Sequence, residues 1–413
     1  MSRLRVPSRP VLSLVLVVAA LAALPAAAGA AQRVEQFALP GTHGNVDPSQ
    51  VTLNGTDALD ASVLLPDGYD DDPGKAWPVV YLLAGIGDNS QGWLTSGTLR
   101  TIAAGLPAIV VMPESGRGFD VDWWQGGTRS GPRWAQYFLD DVIPAVESRY
   151  RILPGRRNHA IAGSSMGGYG AALLGGQLPG YFGSIVSMSG MLDSQALESW
   201  TALPSSIGAS YDTVWGPVTG PYAQATNPML TTDNVAGSRM YVATGTGVPD
   251  PTLQATAAEL TGGVAIEGFV LTQTTRYAAV AAAAGNDVTL KVRTFGIHSW
   301  PYWRREFPKA IAWNLFAAPP VASDAAANAR GWSYETMQQH GNAWGLGYQF
   351  AAAPTAAVVT IARRGQTVSV SGGSGSVTIN PGAAAADASG AGTQPACSFT
   401  ATIPVTRTLP AGC

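Results

Sequence analysis

Short runs of apolar and β-branched residues recur along the chain up to residue 295, and several show little alternation between polar and apolar positions. Strands that are buried on both faces of a sheet have this pattern. Longer stretches between these runs carry apolar residues at helical spacing. The predicted strands are 61–65, 78–83, 107–112, 159–162, 184–188, 239–244 and 289–295, and the predicted helices are 133–150, 168–178, 267–284 and 302–316. The alternation of strands and helices predicts an α/β fold with a mainly parallel sheet.

Two segments depart from this alternation. Residues 200–235 are rich in Pro, Gly, Ser and Thr, and they form either a lid-like excursion or a plain surface connection. Beyond Pro319, short alternating runs at 358–361, 367–371 and 377–379 are separated by glycine and serine, which predicts a small all-β module. The aromatic cluster of this module is expected to fill its core, and a carbohydrate-stacking surface is the alternative. Its members are Trp332, Tyr334, Trp344, Tyr348 and Phe350.

The composition limits the classes of partner. Only 12% of the 413 residues are charged, and the formal net charge is -3. This balance gives no electrostatic footprint for nucleic acid or for an anionic membrane surface. We therefore expect the partner to be a small molecule or a polymer that is not strongly charged.

The first thirty residues have the layout of a secretory signal peptide. Arginines at 3, 5 and 9 precede an apolar run at 11–24, and Ala28-Gly29-Ala30 supplies an A-x-A cleavage site. An uncleaved membrane anchor is the alternative, but the apolar run ends before the ~20 residues that a full span needs. We expect a protein that is secreted or held in the cell envelope, with no stable membrane span after signal removal.

Cysteine and histidine usage bounds the chemistry. The two cysteines, Cys397 and Cys413, lie near the C-terminus and are expected to form one disulfide in an exported chain. The four histidines are scattered, with no paired cysteines between them, so no metal-ligand spacing is present. We expect neither a metal nor a cofactor, and the chemistry cannot depend on a free thiol.

A possible nucleophile lies in the segment Gly163-Ser164-Ser165-Met166-Gly167, between a predicted strand and a predicted helix. A serine centred in G-x-S-x-G at such a junction is typical of a nucleophile elbow. The serine sits at a sharp, strained turn, so the residues two before and two after it need almost no side chain. Because 49 residues of the chain are glycine, the pentapeptide is a weak signal without its context.

The remaining chain offers a base and several acids for Ser165. In α/β hydrolases the triad follows the order Ser, acid, His. Of the two histidines after Ser165, His340 falls in the β module, so His298, just after a predicted strand, is the candidate base. Asp250, Glu267 and Asp287 are the candidate acids, and their positions along the chain do not decide between Asp250 and Glu267.

Several motifs together resemble the mycolyltransferase (antigen 85) family within the esterase D-like group of α/β hydrolases. They run from about residue 60 to 316. Together, these motifs are a far more specific signal than any one of them. The matching stretches are Tyr81-Leu82-Leu83-Ala84-Gly85, Val111-Met112-Pro113, Asp122-Trp123-Trp124-Gln125, Ser164-Ser165-Met166, Asn227-Pro228-Met229-Leu230, Glu267-Gly268-Phe269-Val270 and His298-Ser299-Trp300. The resemblance implies an α/β-hydrolase fold.

The resemblance also implies roles for single residues. The family's acid is the glutamate of the E-G-F-V-like segment, so Glu267 completes a triad with Ser165 and His298. The backbone N–H groups of Ile86 and Met166 correspond to the family's oxyanion hole, which stabilises the tetrahedral intermediate. Trp300 is predicted to contact the substrate.

One departure from the family concerns the acceptor. Mycolyltransferases carry an aspartate and an arginine in the motif after the first long strand, where these side chains contact trehalose. This chain has Ala84 and Gly87 in that motif. The resemblance therefore does not extend to the trehalose contacts.

These observations predict the organisation of the chain. Residues 1–30 form the signal peptide, 31–318 the α/β-hydrolase catalytic domain, 319–330 a linker, and 331–413 the β module. The expected protein is a monomeric exported serine esterase or acyltransferase. It would transfer an acyl group from an ester, with a lipid or glycolipid as one possible substrate, to water or to a sugar or alcohol hydroxyl. The alternative is a cell-envelope binding or adhesion protein on an inactive hydrolase scaffold.

Overall fold

The computed structural model describes residues 32–39, 45–46, 59–253, 255–257 and 259–413. The predicted signal peptide lies outside the described residues. Eight strands form the main sheet: β1 Arg33–Ala38, β2 Asp60–Leu65, β3 Val79–Leu83, β4 Ile109–Pro113, β5 His159–Ser164, β6 Ser184–Met188, β7 Arg239–Thr244 and β8 Asp287–Val292. Their order is β1-β2-β4-β3-β5-β6-β7-β8. The β1–β2 and β2–β4 pairs are antiparallel, and all pairs from β4 to β8 are parallel.

Helices connect the strands and cover both faces of the sheet. They are α1 Gly92–Thr95, α2 Leu99–Ile102, α3 Trp134–Gln136, α4 Ile143–Arg149, α5 Met166–Gln177, α6 Leu197–Ile207, α7 Tyr211–Trp215, α8 Pro221–Ala225, α9 Val264–Ala283, α10 Trp300–Ala312 and α11 Asp324–Arg330. A π-helical stretch, Tyr137–Val142, joins α3 to α4, and another, Glu259–Gly263, precedes α9.

Two apolar layers pack between the main sheet and the helices, one on each face of the sheet. One contains Tyr81, Phe138 and Tyr277 and lies under α3 to α5 and α9. The other contains Trp93 and Phe307 and lies under α1, α2 and α10. The central strands read as continuous apolar runs because the sheet is buried on both faces. This three-layer arrangement confirms the predicted α/β class and its mainly parallel sheet.

The C-terminal residues form two antiparallel sheets of four strands each. The strands are β9 Trp332–Thr336, β10 His340–Ala343, β11 Leu346–Phe350, β12 Val359–Arg364, β13 Thr367–Ser371, β14 Ser376–Pro381, β15 Phe399–Thr402 and β16 Val405–Thr408. Their orders are β10-β11-β14-β15 and β16-β13-β12-β9. Tyr334, Tyr348 and Phe350 are buried in the core of this module, which agrees with the core-filling interpretation, whereas Trp344 is buried outside that core with Val321 and Ala327. Cys397 and Cys413 are paired, with Cα atoms 5.8 Å apart, a usual separation for a disulfide.

Hydrogen bonds attach the β module to the main domain. The side-chain amide of Asn234 donates to the Glu335 carbonyl at 2.8 Å, and its oxygen accepts the Glu335 N–H at 2.7 Å. The Tyr334 hydroxyl donates to the Gln177 carbonyl at 3.2 Å, at the end of α5. The expected linker 319–330 contains α11, so much of it is helical.

Candidate active site

Ser165 lies at the junction of β5 and α5, where the sheet presents its carboxyl edge. Its backbone has φ 56° and ψ -121°, a strained conformation for a residue with a Cβ atom. Its N–H donates to the Met188 carbonyl at 2.9 Å, which ties the turn to β6. The side chain projects from the edge of the sheet as a nucleophile elbow requires.

The two glycines of the elbow are fixed by close backbone approaches. A Cβ atom added at Gly163 would lie 2.1 Å from the Gly167 carbonyl oxygen. One added at Gly167 would lie 2.5 Å from the Leu83 carbonyl oxygen, because α5 starts directly over β3. Side chains at these positions are therefore sterically excluded.

His298 connects Ser165 to a carboxylate. Its Nε2 lies 2.7 Å from Ser165 Oγ, and its Nδ1 lies 2.9 Å from Glu267 Oε2. The loop after β8 carries the imidazole, and the His298 N–H donates to the Gly263 carbonyl at 2.9 Å. The ring packs edge-on against Trp303 with centroids 5.1 Å apart. The predicted base and one predicted acid thus lie in line with the serine.

Glu267 is buried in the first turn of α9, and both of its oxygens have partners. Oε1 accepts the Gly245 N–H at 2.6 Å and the hydroxyls of Ser189 and Thr244 at 2.8 and 2.9 Å. Burial disfavours the charged form. The hydrogen bond and charge of His298, with the Gly245 amide and the Ser189 hydroxyl, outweigh burial and hold the pKa of Glu267 below its ordinary value.

Asp250 lies away from this line of side chains. Its Oδ2 pairs with Arg305 Nη1 at 2.6 Å, and its Oδ1 accepts the N–H and hydroxyl of Thr252. These Thr252 hydrogen bonds, followed by Arg305, lower the pKa of Asp250. The sequence position that made Asp250 a candidate reflects the shared carboxyl edge of the sheet rather than contact with His298.

Backbone amides lie beside Ser165 where the oxyanion hole is predicted. Met166 is the first residue of α5, so its N–H has no acceptor within the helix. Ile86 lines the same cavity as Ser165, Met166 and His298. A Cβ atom added at the neighbouring Gly85 would lie only 3.5 Å from the Ser165 Cβ, so the loop after β3 borders the nucleophile closely.

Trp300 and the two positions that depart from the family lie around this centre. Trp300 begins α10 and packs edge-on against Trp93 and Trp303, with centroids 5.0 and 5.4 Å away. It does not line the described cavity beside Ser165, and its contact with substrate stays a prediction. Ala84 is buried directly after β3, and Gly87 adopts a positive φ of 84°.

A cavity of about 140 Å³ opens at Ser165 between α6 and α9. Apolar side chains dominate its walls away from the catalytic end. They are Phe119, Met191, Ala202, Leu203, Ile266, Phe269 and Val270. Helix α6 overlaps segment 200–235, and Ala202 and Leu203 in this part of the segment form one wall of the cavity.

Sequence reasoning missed the groups that hold Glu267. Ser189 directly follows β6 and has a positive φ of 51°. Thr244 is the last residue of β7. The carboxyl ends of adjacent parallel strands meet at one edge, so polar residues after predicted strands were the available signal.

The family follows from comparison with known proteins. Residues 56–314 match the family described as "Putative esterase". The chain belongs to this esterase family. This match confirms the resemblance to the esterase group that was predicted from the sequence.

Relatives of this esterase-family chain differ in length and name. Esterase Rv1288 of Mycobacterium tuberculosis is 33% identical in an alignment of 202 positions, which covers 46% of this chain and 43% of that protein. The chain thus spans less than half the length of that relative. The diacylglycerol acyltransferase/mycolyltransferase Ag85B of Mycobacterium intracellulare is 30% identical over 310 residues, covering 70% of this chain and 89% of that protein.

A solved structure supports the fold. Mycobacterium tuberculosis MPT51 (FbpC1) has a TM-score of 0.54 at 21% identity, and the match covers 69% of this chain and 98% of that chain. Within the described ranges, no helix of this chain is long and apolar enough to cross a membrane. The same residues contain no group of three or more His, Cys, Asp or Glu side chains arranged to hold a metal ion.

Proposed function

We propose that the protein is an exported serine esterase or acyltransferase that works through an acyl-Ser165 intermediate. The observation that carries the proposal is the pair of hydrogen bonds at His298, 2.7 Å to Ser165 Oγ and 2.9 Å to Glu267 Oε2. Membership of the esterase family supports the ester as substrate. Export rests on the sequence of residues 1–30 alone.

In the first half-reaction, Ser165 Oγ attacks the ester carbonyl carbon while His298 Nε2 takes the hydroxyl proton. The carbonyl oxygen becomes an oxyanion, and the N–H groups of Ile86 and Met166 donate to it. The Glu267 carboxylate orients the imidazole and stabilises the imidazolium that forms. His298 then gives the proton to the leaving alcohol, the C–O bond to that alcohol breaks, and the acyl group stays on Ser165.

In the second half-reaction, water or an alcohol attacks the acyl-serine. His298 takes the proton of the acceptor hydroxyl as its oxygen bonds to the acyl carbon, and then passes that proton to Ser165 Oγ as the bond between the acyl carbon and Oγ breaks. Hydrolysis and transfer share every protein group in this scheme. They differ in which hydroxyl occupies the acceptor position, which depends on acceptor binding and on water exclusion.

A short-chain p-nitrophenyl ester tests the proposal, with the wild type compared with Ser165→Ala. We expect the variant to lose about 10³-fold or more in turnover, because the nucleophile is removed. The alternative, a binding protein on an inactive scaffold, predicts equal background rates for both proteins. Equal rates would overturn the proposed mechanism.

A further inference from the structure

The volume of the cavity beside Ser165 limits the length of the acyl chain that it can hold. Its volume of about 140 Å³ is close to that of an engineered apolar cavity of about 150 Å³ that binds benzene. A cavity of this size accommodates about six carbon atoms. Ser165 and His298 lie at one end of it, so an acyl group on Ser165 Oγ has this space within reach.

Hydrogen bonds between polar side chains join α6 and α9 beyond the apolar walls of this cavity. From α9, the Gln273 side-chain amide donates to Ser199 Oγ at 2.9 Å and to Glu198 Oε1 at 3.2 Å, both on α6. Its side-chain oxygen accepts the Asp193 N–H at 3.2 Å. A longer alkyl chain would have to displace these hydrogen bonds or pack against the Glu198 carboxylate, and both are unfavourable.

The width of the cleft is held from two sides. Gln273 ties α6 to α9, and Arg117 Nη1 donates to the Ser206 carbonyl at 2.7 Å near the end of α6. Arg117 belongs to the same loop as Phe119, which forms part of the wall. On the other side, Ile266 and Phe269 line the cavity and are each 44% exposed, so it opens to water there. Carbon atoms beyond the cavity therefore reach solvent or polar groups rather than a continuing apolar tunnel.

We propose that this site selects esters of short acyl chains, of about four to eight carbon atoms, with Leu203 on α6 forming part of the wall against which the chain packs. The inference rests on the proposed function and names the substrate class of the same site. Leu203 is half-buried against Phe119 and Met191 in one apolar cluster. A larger side chain at this position fills the cavity, and a smaller one extends it.

The test measures kcat/KM for p-nitrophenyl acetate, butanoate, hexanoate, octanoate, dodecanoate and palmitate, each below its critical micelle concentration. We expect a maximum between butanoate and octanoate. Leu203→Trp should lower the ratio of kcat/KM for hexanoate to kcat/KM for acetate by about ten-fold or more, since one misfitting group in an apolar pocket changes rates by ~10–200-fold. Leu203→Ala should shift the maximum to longer chains.

Ser205→Trp is the matched control, because Ser205 lies on the same helix, is exposed and does not line the cavity. It should keep the wild-type chain-length profile, and the acetate rate reports whether each variant is folded. Ser165-dependent hydrolysis that rises steadily to palmitate, or an unchanged profile in both Leu203 variants, would overturn this inference alone. Hydrolysis that does not depend on Ser165 would instead overturn the proposed function.

Discussion

At the scale of single residues, the candidate site depends on the buried carboxylate of Glu267, whose two oxygens have different hydrogen-bond partners. Three donors hold Oε1 of Glu267, which leaves Oε2 fixed toward His298 Nδ1. Asp250 is engaged by Thr252 and Arg305 instead. The two acids that sequence position left open therefore have separate partners.

Exchanging each acid for its amide distinguishes their roles. We expect Glu267→Gln to lower kcat/KM by about 10³- to 10⁴-fold, because an amide no longer fixes the imidazole tautomer or stabilises the imidazolium. Asp250→Asn, which is nearly isosteric, should change kcat/KM by less than about ten-fold. The opposite ranking in steady-state ester hydrolysis would move the role of the acid to Asp250.

A second buried carboxyl, that of Asp120, is expected to make the stability of the fold depend on pH. Asp120 is 3% exposed, and its Oδ2 has no hydrogen-bond partner among the described residues. Burial raises its pKa to about 7, and a hydrogen bond with Ser115 only partly opposes this. Between the ordinary aspartate range and about pH 7, the folded protein keeps a proton that the unfolded chain loses. Stability should therefore be highest at the acidic end of this window and fall as the pH rises through it.

Asp120→Asn removes this titration, and asparagine tolerates the positive φ of 51° at this position. Between about pH 5 and about pH 8, the free energy of unfolding of the wild type should fall more than that of the variant. The difference is on the order of a few kcal/mol. The exposed exchange Asp212→Asn serves as control. Parallel pH profiles for wild type and Asp120→Asn in denaturant titrations would show that Asp120 is not the group responsible.

The residue-level prediction from sequence had a clear limit. Order along the chain and the neighbouring strand and helix were enough to select Ser165 and His298, which the structure brings within hydrogen-bond distance. The choice of Glu267 required the family resemblance, because chain position says nothing about which carboxylate turns toward the imidazole. The contacts of Ser189 and Thr244 arise only when β6 and β7 lie side by side.

At the scale of elements, the strand β5, the turn at Ser165 and the helix α5 form one unit whose geometry excludes side chains at the flanking glycines. Gly163→Ala places a Cβ atom 2.1 Å from the Gly167 carbonyl oxygen. We expect this change to lower the free energy of unfolding by about 3 kcal/mol and to abolish ester hydrolysis, because the turn must shift.

Gly268→Ala is the matched control for this exchange. It lies in α9 beside the site, and an added Cβ there meets no atom within 4 Å. Alanine should raise stability by up to about 1 kcal/mol through its helix propensity. Equal losses of stability in the two variants, measured by urea unfolding, would contradict the steric account of the elbow.

The elements of the central sheet were predictable because buried parallel strands carry continuous apolar runs. All seven strands predicted for the central sheet are present. The predicted strand 289–295 corresponds to β8 Asp287–Val292, which ends three residues before the predicted end. Strand β1 was missed because it is an edge strand with an exposed and half-buried pattern rather than an apolar run. Helix α6 was hidden in a segment whose Pro, Gly and Ser content favours loops, and tertiary contacts over the cavity outweigh that preference.

At the scale of the whole molecule, the β module is attached to the main domain by a sheet-like pair of hydrogen bonds. The Asn234 side-chain amide donates to the Glu335 carbonyl and accepts the Glu335 N–H, as a neighbouring strand would. Asn234→Ala leaves both backbone groups without these partners at a partly buried interface. We expect a loss of about 2 kcal/mol in the free energy of unfolding. We also expect a single calorimetric transition at a lower temperature, because these hydrogen bonds join the two units.

Asp233→Ala removes an exposed neighbour and should leave the transition temperature nearly unchanged. Two separate transitions in the wild type, or a shift in Asp233→Ala as large as that in Asn234→Ala, would contradict cooperative unfolding. The arrangement itself could not be predicted from the sequence. Pairing between residues 234 and 335 is a long-range contact, and the sequence predicted only a linker at 319–330 between the two units.

The most direct measurement of the central claim is covalent labelling of the intact protein with a fluorophosphonate, followed by mass spectrometry of the protein and its peptides. The account predicts one adduct, located on Ser165, which is absent from Ser165→Ala and forms at least about 10²-fold more slowly in His298→Ala. An unlabelled wild type, an adduct on another residue, or equally rapid labelling of His298→Ala would contradict it.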